Sequence, residues 1–394
     1  MKKLWQKNLE QLDPFVEEFE TKADLAMDQK LIVYDIQATI AQAKQLLKLG
    51  IFTQKESDDA IKGLHEILRL VEQGEFILQP GDEDAHTKIE NYLTENYGEV
   101  GKKIHTGRSR NDQALNFVRM FEKSELENIQ KAVKELIKTF EAFDKQYGSI
   151  TMPGYTHMQK AMPSTIGLWI GSFIAALGDD TNVLQAVYDL IDQSVMGSGA
   201  GYGVPLDLDK EYTAELLGFK KVVSNPIYAQ SSKGKFEAFV LASLIQVLQT
   251  INKFASDVLL FTTQEFGFFE ASDKITTGSS IMPQKKNVDL AELLRSKVHI
   301  VLGNQTQIVS MTANLPSGYN RDLQDMKKPV IESLEVTLDS LKAAKILVEN
   351  IKPNEKKLKA AMTPELFATE KALNLAKNGQ SFRDAYKKVK EEYE

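Results

Sequence analysis

The segment Thr277–Asn287 carries the side chains of this chain that are best suited to chemistry. It reads Thr-Gly-Ser-Ser-Ile-Met-Pro-Gln-Lys-Lys-Asn, which places two serine hydroxyls, two ammonium groups and a carboxamide in one short run. Gly278 can adopt backbone angles that are closed to other residues and Pro283 fixes its own, so a shaped, mobile loop is expected. A Ser presented beside a Lys and an Asn suits proton abstraction that forms a carboxylate-stabilised carbanion.

A second polar segment, His105–Asp112, places two arginines around a serine. Arg108 and Arg110 flank Ser109, and Asn111 follows. Arginine forks bind carboxylates through paired, charge-assisted hydrogen bonds, so the segment suits an anionic substrate. The alternative is a helix-capping loop whose arginines pair with protein carboxylates, as exposed arginines commonly do.

Two further segments offer groups for acid–base chemistry and binding. His157 follows an expected Pro153-Gly154 turn, and an unperturbed histidine has a pKa of roughly 6.5, so it can carry charge near neutral pH. Its alternative role is that of a structural histidine at a helix start. The segment Gly318–Lys327 offers a hydroxyl, an amide and an ammonium, and otherwise would be a polar connection between helices.

The elements that position these segments are long helices. Gln113–Tyr147 repeats apolar residues at three- and four-residue steps, which predicts one apolar face on a helix about 50 Å long at ~1.5 Å per residue. Strand signals are sparse, so a bundle is expected, and such helices need partners within the chain or from other subunits. Further long helices are predicted over Thr165–Val195, Lys235–Phe268, Val288–Thr312 and Lys327–Asn350.

Helix boundaries are marked at both ends of the chain. Gly50 is expected to end one helix, and Thr53 with Glu56 to open the next through a capping box. Thr363 followed by Pro364 predicts another helix start.

Composition limits the class of protein. The 394 residues include 42% hydrophobic and 26% charged residues, which is ordinary for a globular protein. A net charge of −7 argues against general binding to nucleic acid or anionic membranes. There is no cysteine, and the 5 histidines lack metal-ligand spacing, so neither a disulfide nor a metal site is expected.

The chain carries no predicted targeting or membrane segment. Met1–Lys7 is not followed by an apolar stretch of the kind that a secretory signal needs. Phe236–Leu260 is apolar but is interrupted by charged and polar residues, so it is expected to be a buried bundle helix. A cytoplasmic location is therefore expected.

The first segment closely resembles the signature loop of the fumarase/aspartase superfamily, whose members eliminate a group from a succinyl skeleton and leave fumarate. The matching pattern is Gly-Ser-Ser-x-Met-Pro-x-Lys-x-Asn at Gly278–Asn287. His105–Asp112 and the Asn-Arg-Asp-Leu-Gln run at 320–324 narrow the resemblance to the argininosuccinate lyase family. The likeness spans essentially the whole chain, within a shorter branch of the family.

The resemblance implies a mainly α fold, an elongated bundle of long helices flanked by two smaller helical regions. It implies an N-terminal helical domain over residues 1–110, a central bundle and oligomerisation domain over 111–350, and a C-terminal helical domain over 351–394. It also implies reversible elimination of argininosuccinate to arginine and fumarate in arginine biosynthesis, without cofactor or metal. A homotetramer with active sites shared between subunits is implied as well.

Residue roles follow from the same resemblance. Ser279 would be the base, although spacing alone does not decide between it and Ser280. Lys285 and Asn287 would hold the carbanion intermediate. His157 would pair with Glu292, and the identity of the general acid stays open. The implied substrate-binding residues are Asp28, Ser109, Arg110, Asn111, Thr156, Tyr319, Gln324 and Lys327.

The chain departs from the family pattern at several positions, and two alternatives to the lyase interpretation stay open. Asp24, Met162 and Lys233 stand where many members have Ser, Gln and Arg. One alternative is a fumarate-forming carbon–nitrogen lyase for another succinylated amine. The other is a non-enzymatic, crystallin-like helical protein, which the presence of the catalytic residues disfavours.

Overall fold

The computed structural model describes residues 13–79 and 81–393, so the amino-terminal segment expected to lack a signal lies outside the described residues. Most of the described chain is helical, which confirms the mainly α class. In chain order the first helices are α1 (Pro14–Lys48), α2 (Gln54–Glu72), α3 (Ala85–Tyr97), α4 (Glu99–Lys103) and α5 (Arg110–Tyr147). The strands β1 (Thr151–Thr156) and β2 (Gln159–Thr165) precede α6 (Ile166–Ile191), β3 (Gln193–Ser194), α7 (Lys210–Leu216) and β4 (Lys221–Val222).

The second half of the chain continues with long helices. Shorter helices lie between and after them, and 3-10 helices are present at Arg321–Met326 and Pro364–Phe367. The elements are α8 (Pro226–Ser231), α9 (Lys235–Phe261), β5 (Phe269–Ala271), α10 (Asp289–Thr312), α11 (Lys327–Glu349), β6 (Ile351–Pro353), α12 (Glu355–Ala361), α13 (Ala368–Lys377) and α14 (Phe382–Glu391).

All five predicted long helices are present. Helix α6 ends at Ile191, four residues before the predicted Val195, and α9 falls short of its predicted end by more. The predicted helix from Lys235 to Phe268 stops at Phe261. Residues 262–266 form turns, and Gly267 then adopts a φ of +57°, which favours glycine. Phe269 pairs with Pro353 in an antiparallel sheet of β5 and β6. The apolar pattern continues past Phe261 because Phe268 and Phe269 are also buried, although Phe268 precedes β5 and Phe269 is its first residue.

Helix α9 is long and apolar enough to cross a membrane by length and composition alone. In the structure 56% of its most apolar window is buried within the protein. Glu237, near its start, is fully buried among the helices. The helix therefore has the character of a core helix, as its interrupted apolar pattern predicts.

The chain divides into two compact units. Unit 1 comprises residues 1–127, 186–242 and 303–334, and unit 2 comprises 128–185, 243–302 and 335–394. The three-domain division remains a prediction. In unit 1, α2 begins with the predicted capping box, in which Thr53 and Glu56 each bond to the other's backbone. The apolar core beneath it includes Leu46, Phe52 and Leu64.

Aromatic residues form much of the unit 2 core. Trp169 of α6 lies 5.1 Å from Phe269 and 6.0 Å from Phe254 between ring centroids. Its indole N–H donates to Asp257 at 2.9 Å, so the one polar atom of the ring is satisfied. This packing fixes α6 and α9 within the unit.

A β-hairpin in unit 2 replaces the predicted Pro153-Gly154 turn. Pro153 and Gly154 lie within β1, paired with Pro163 and Met162 of β2. The turn is instead at His157 and its neighbour Met158, with φ values of 54° and 63°. Two successive left-handed residues are the geometry of a two-residue hairpin turn that matches strand twist. His157 therefore lies at a hairpin tip, and neither a Pro-Gly turn nor a helix start holds it.

Candidate active site

The predicted catalytic segment forms a loop closed at its base. The backbone N–H groups of Thr277 and Asn287 each donate to the other's carbonyl at 2.9 Å. The Thr277 hydroxyl also bonds to Asp289, in the first turn of α10. Residues 277–287, hereafter the Ser279 loop, are therefore tied to α10 at their ends while most of the intervening residues are exposed.

The structure distinguishes the two serines of this loop. The Ser279 Oγ accepts hydrogen bonds from the backbone N–H groups of Met282 at 3.2 Å and Ile281 at 3.4 Å. Backbone donors aimed at a hydroxyl oxygen favour its anionic form. The Ser280 hydroxyl makes no hydrogen bond with any residue that the structure describes. Only Ser279 thus has donors in place for an alkoxide.

Other predicted catalytic groups of the loop and of α10 face solvent. The Lys285 and Glu292 side chains are exposed and Asn287 is half-buried. None of these three side chains hydrogen-bonds to a residue of the described chain. Lys286, by contrast, is paired with Asp273 at 2.5 Å on the surface. The adjacent lysines are therefore in different states, one paired and one available.

His157 and Thr156 are also exposed, at the tip of the hairpin. Within the described part of one chain, His157 forms no ion pair with Glu292 or any other carboxylate. The predicted pairing of this histidine with Glu292 is therefore not made inside a single chain.

Predicted substrate-binding residues meet in a pocket of about 240 Å³ that lies entirely in unit 1. Ser109 is not part of its lining, because its hydroxyl accepts the Asn111 N–H at 3.2 Å in the turn before α5. Thr156 belongs to unit 2. The predicted residues that line the pocket are Asp28, Arg110, Asn111, Tyr319, Gln324 and Lys327.

Lys327 is held by two carboxylates in the wall of this pocket. Its Nζ lies 2.6 Å from Asp28 and 2.9 Å from Asp24, both on α1. Burial opposes the charge on the ammonium, but the two carboxylates outweigh it and raise the pKa of Lys327 well above its usual range. The lysine predicted to meet substrate carboxylates is already neutralised by protein carboxylates.

The arginines of the pocket are paired as well. Arg110 forms ion pairs with Glu83 and with Asp84, the latter at 3.2 Å. Arg108, which does not line the pocket, donates to the Thr39 hydroxyl at 3.0 Å. The capping-loop alternative, in which these arginines serve protein groups, therefore describes their contacts in this structure.

Several lining residues were missed by sequence reasoning. Glu20 and Asp24 stand at four-residue steps before the predicted Asp28, which places all three on one face of α1, and this spacing was the available signal for the first two. Such a row is normally a solvated helix face. The other charged or titratable lining residues that were not predicted are Glu83, Asp84, His86, Lys233 and Arg321.

Comparison with known proteins places this geometry in a family. Residues 9–303 match the family model described as Lyase. An argininosuccinate lyase of Thermotoga neapolitana is 46% identical over 391 residues, covering 99% of this chain and 98% of the relative. One of Bacteroides thetaiotaomicron is 40% identical, covering 98% of this chain and 86% of the relative.

A solved structure shares the fold. The crystal structure of an EDDS lyase in complex with formate superposes with a TM-score of 0.82 at 24% identity, covering 97% of this chain and 76% of that one. At this identity the likeness bears on the fold alone. The full-length matches go further, and they show that the chain belongs to the argininosuccinate lyase family of the fumarase/aspartase superfamily.

Proposed function

We propose that the protein catalyses the reversible elimination of argininosuccinate to arginine and fumarate, as a lyase of arginine biosynthesis. The single observation that carries this is the full-length likeness to argininosuccinate lyases at 46% identity. The Ser279 loop supports the proposal from the chemical side, because one serine oxygen faces two backbone N–H donors.

The reaction begins with loss of a proton from the succinyl carbon next to the distal carboxylate. Ser279 takes this proton as an alkoxide, whose negative charge the Ile281 and Met282 N–H groups stabilise. The electron pair moves onto the carboxylate and creates a dianion. Lys285 and Asn287 have side chains without partners in the described chain, and they hold this dianion.

Cleavage of the carbon–nitrogen bond completes the elimination. The electron pair of the dianion forms the double bond of fumarate, and the guanidino nitrogen leaves with the bonding pair. That nitrogen needs a proton, which His157 supplies directly or through a group that it orients, with Glu292 holding the imidazole. Both side chains are exposed and have no partner among residues 13–79 and 81–393, which suits a pairing completed between subunits.

The amine half of the substrate lies in the unit 1 pocket. Its walls combine carboxylates with the Tyr319 hydroxyl and the Gln324 amide, which suits an amino acid bearing both charges. Asn111 and Asp28 complete the wall at α5 and α1. Ser109 acts through the turn before α5, where its hydroxyl fixes Asn111, and Thr156 belongs to the hairpin that carries His157.

Assembly into a homotetramer brings these groups into shared sites in the cytoplasm. Exposed large apolar side chains on the long helices support this part of the proposal, because long helices with apolar faces usually bury them against partners within the chain or in other subunits. Leu168 is 70% exposed and Leu293 is 57% exposed. Val309, Phe239 and Ile346 add to the same kind of surface.

The test is fumarate release from a panel of succinylated amines, followed by ultraviolet absorbance. Argininosuccinate should be the preferred substrate, and Ser279→Ala should remove the signal. Preference for another succinylated amine would favour the related-lyase alternative. No fumarate from any member of the panel would point to the crystallin-like alternative.

A further inference from the structure

Lys233 lies in the unit 1 pocket on the short turn between α8 and α9. Its backbone N–H donates to the Gln230 carbonyl at 3.2 Å. The next residue, Gly234, has a φ of +83° and donates to the Glu237 carboxylate. Lys233 is only 6% exposed, and its side chain lines the pocket. The turn therefore holds an ammonium group in a fixed place at the pocket wall.

Lys233 differs from the other cations of the pocket in its pairing. Lys327 is paired with two aspartates, Arg110 with Glu83 and Asp84, and Arg321 with Glu20 at 3.1 Å. Lys233 forms no ion pair or hydrogen bond through Nζ with any residue among 13–79 and 81–393. Nζ lies over the Tyr319 ring instead, 5.7 Å from its centroid.

A buried ammonium without a partner is costly, because it loses hydration and gains no counter-charge. The cost falls when an anion enters the pocket and meets it. The pocket's other cations are already neutralised, so an incoming carboxylate finds its unsatisfied partner at Lys233.

We propose that Lys233 binds the α-carboxylate of the amino-acid half of the substrate. This inference rests on the proposed function, in which the Ser279 loop receives the reacting succinyl carboxylate. The acidic row on α1 lies in the same pocket and suits the neighbouring α-ammonium. Lys233 then selects amines that carry a carboxylate, and it sets specificity rather than performing the chemistry.

The surroundings of Lys233 give this contact a pH dependence. Burial, and then repulsion by Lys327, lower the pKa of Lys233 to about 8. Below that value the ammonium is charged and binds the carboxylate, and above it the neutral amine does not. Arginine at the same position stays charged throughout this range. The charged or titratable groups that face Lys233 are Asp24 and Asp28 on α1, Glu237 on α9, Tyr319, Arg321 and Lys327.

The test compares Lys233→Met and Lys233→Arg on two substrates. One is argininosuccinate, and the other is the analogue in which agmatine replaces arginine, so that the α-carboxylate is missing. With argininosuccinate, Lys233→Met should raise KM by roughly 30-fold while kcat changes less, because one partner of a buried charge pair is lost. With the analogue, KM should be unchanged by the substitution. Lys235→Met removes an exposed charge two residues away and should leave the KM of both substrates unchanged.

The arginine variant tests the pH dependence. Lys233→Arg should retain most activity, and the ratio of wild-type to Lys233→Arg kcat/KM should fall as pH rises past about 8. Taking a ratio cancels the titration of the substrate and of the other catalytic groups. A pH-independent ratio would contradict the role of the lysine.

Two readouts separate this inference from a structural role and from the proposed function. The melting temperature of Lys233→Met should equal or exceed that of the wild type, because an unpaired buried charge is removed; a clear fall would mean that Lys233 is structural. Calorimetric binding of arginine and agmatine tests the contact without turnover. Lys233→Met should weaken the binding of arginine and leave the binding of agmatine unchanged. Equal weakening of the binding of arginine and agmatine would overturn the inference even if argininosuccinate is cleaved normally. If the wild type does not cleave argininosuccinate, only the proposed function fails.

Discussion

Replacing Lys327 by methionine would leave two carboxylates facing one another in the wall of the unit 1 pocket. The ammonium now lies 2.6 Å from Asp28 and 2.9 Å from Asp24. The side chains of Lys327 and Asp28 are 7% and 2% exposed, so water cannot replace the lost charge. Met has similar length and no charge, so the substitution removes the pairing and retains the volume.

The expected loss is large because the pair is buried. Removing one partner of a buried ion pair costs about 3–5 kcal/mol of unfolding free energy, since an uncompensated charge stays behind. Lys22 on α1, the helix that carries Asp24 and Asp28, forms an ion pair with Glu18 at 2.6 Å, but both side chains are more than half exposed. Lys22→Met should therefore leave stability unchanged, because solvent screens such pairs. The two substitutions both replace an ion-paired lysine by methionine, so they compare the loss of a buried ion pair with the loss of an exposed one.

The assay is urea denaturation followed by helical circular dichroism, at one protein concentration because assembly contributes to stability. The loss in Lys327→Met should shrink as pH falls. An unpaired buried aspartate has a folded-state pKa above its unfolded value of about 3.9, so protonation restores stability as pH drops through the folded value. In the wild type burial already raises the pKa of Asp28, and the two carboxylates raise the pKa of Lys327. The contribution of Lys327 to stability is therefore complete at neutral pH and is lost at strongly alkaline pH.

Adding Asp28→Asn to Lys327→Met should recover part of the stability, because the stranded charge is removed. Three results would refute the reasoning: a loss no greater than that of Lys22→Met, a loss that does not depend on pH, or no recovery in the double variant. Any of these would mean that water reaches the pair and that the pocket wall is not closed.

Three further predictions concern the Ser279 loop and the hairpin. Ser279→Ala should lower kcat at least ~10²-fold with unchanged folding, whereas Ser280→Ala should retain most activity; comparable losses would contradict the choice of base. Lys285→Met should lower kcat/KM roughly 10²–10³-fold in steady-state assays, because it removes the charge that stabilises the dianion. Lys286→Met should change kcat/KM little, because Lys286 only forms a solvent-exposed ion pair with Asp273. Mixing inactive Ser279→Ala and His157→Asn subunits after mild dissociation should restore part of the activity, and no recovery in verified mixed oligomers would count against shared sites.

The helical part of the fold was largely predictable because local chemistry marks it. Thr53 and Glu56 form the capping box that their spacing predicts, and apolar steps located the long helices to within a few residues. The end of α9 was misplaced because buried apolar residues recur at Phe268 and Phe269, after exposed residues 263–265, while the backbone changes from helix to strand. A pattern of apolar residues indicates which positions are buried, but it does not say whether the backbone there is helix or strand.

The site was less predictable because its contacts are distant in sequence. Lys327 meets Asp24 across 303 positions, and no local pattern encodes that pairing. The hairpin was missed because Pro153 and Gly154 indicate a turn locally, whereas pairing with β2 extends them. The family resemblance predicts a chemical role for each site residue, whereas the ion-pair partners of the charged residues are visible only in the structure.

The hairpin tip at His157 and Met158 has a consequence for how this enzyme can be improved. Left-handed backbone costs a residue with a side chain roughly 1–2 kcal/mol, and Gly or Asn would relieve much of it. Selection for thermal stability alone would therefore remove the histidine, so directed evolution must hold position 157 fixed while position 158 is free to become glycine. For the same reason His157→Asn fits the turn at least as well as the native residue, so a loss of activity in that variant reports chemistry and not misfolding.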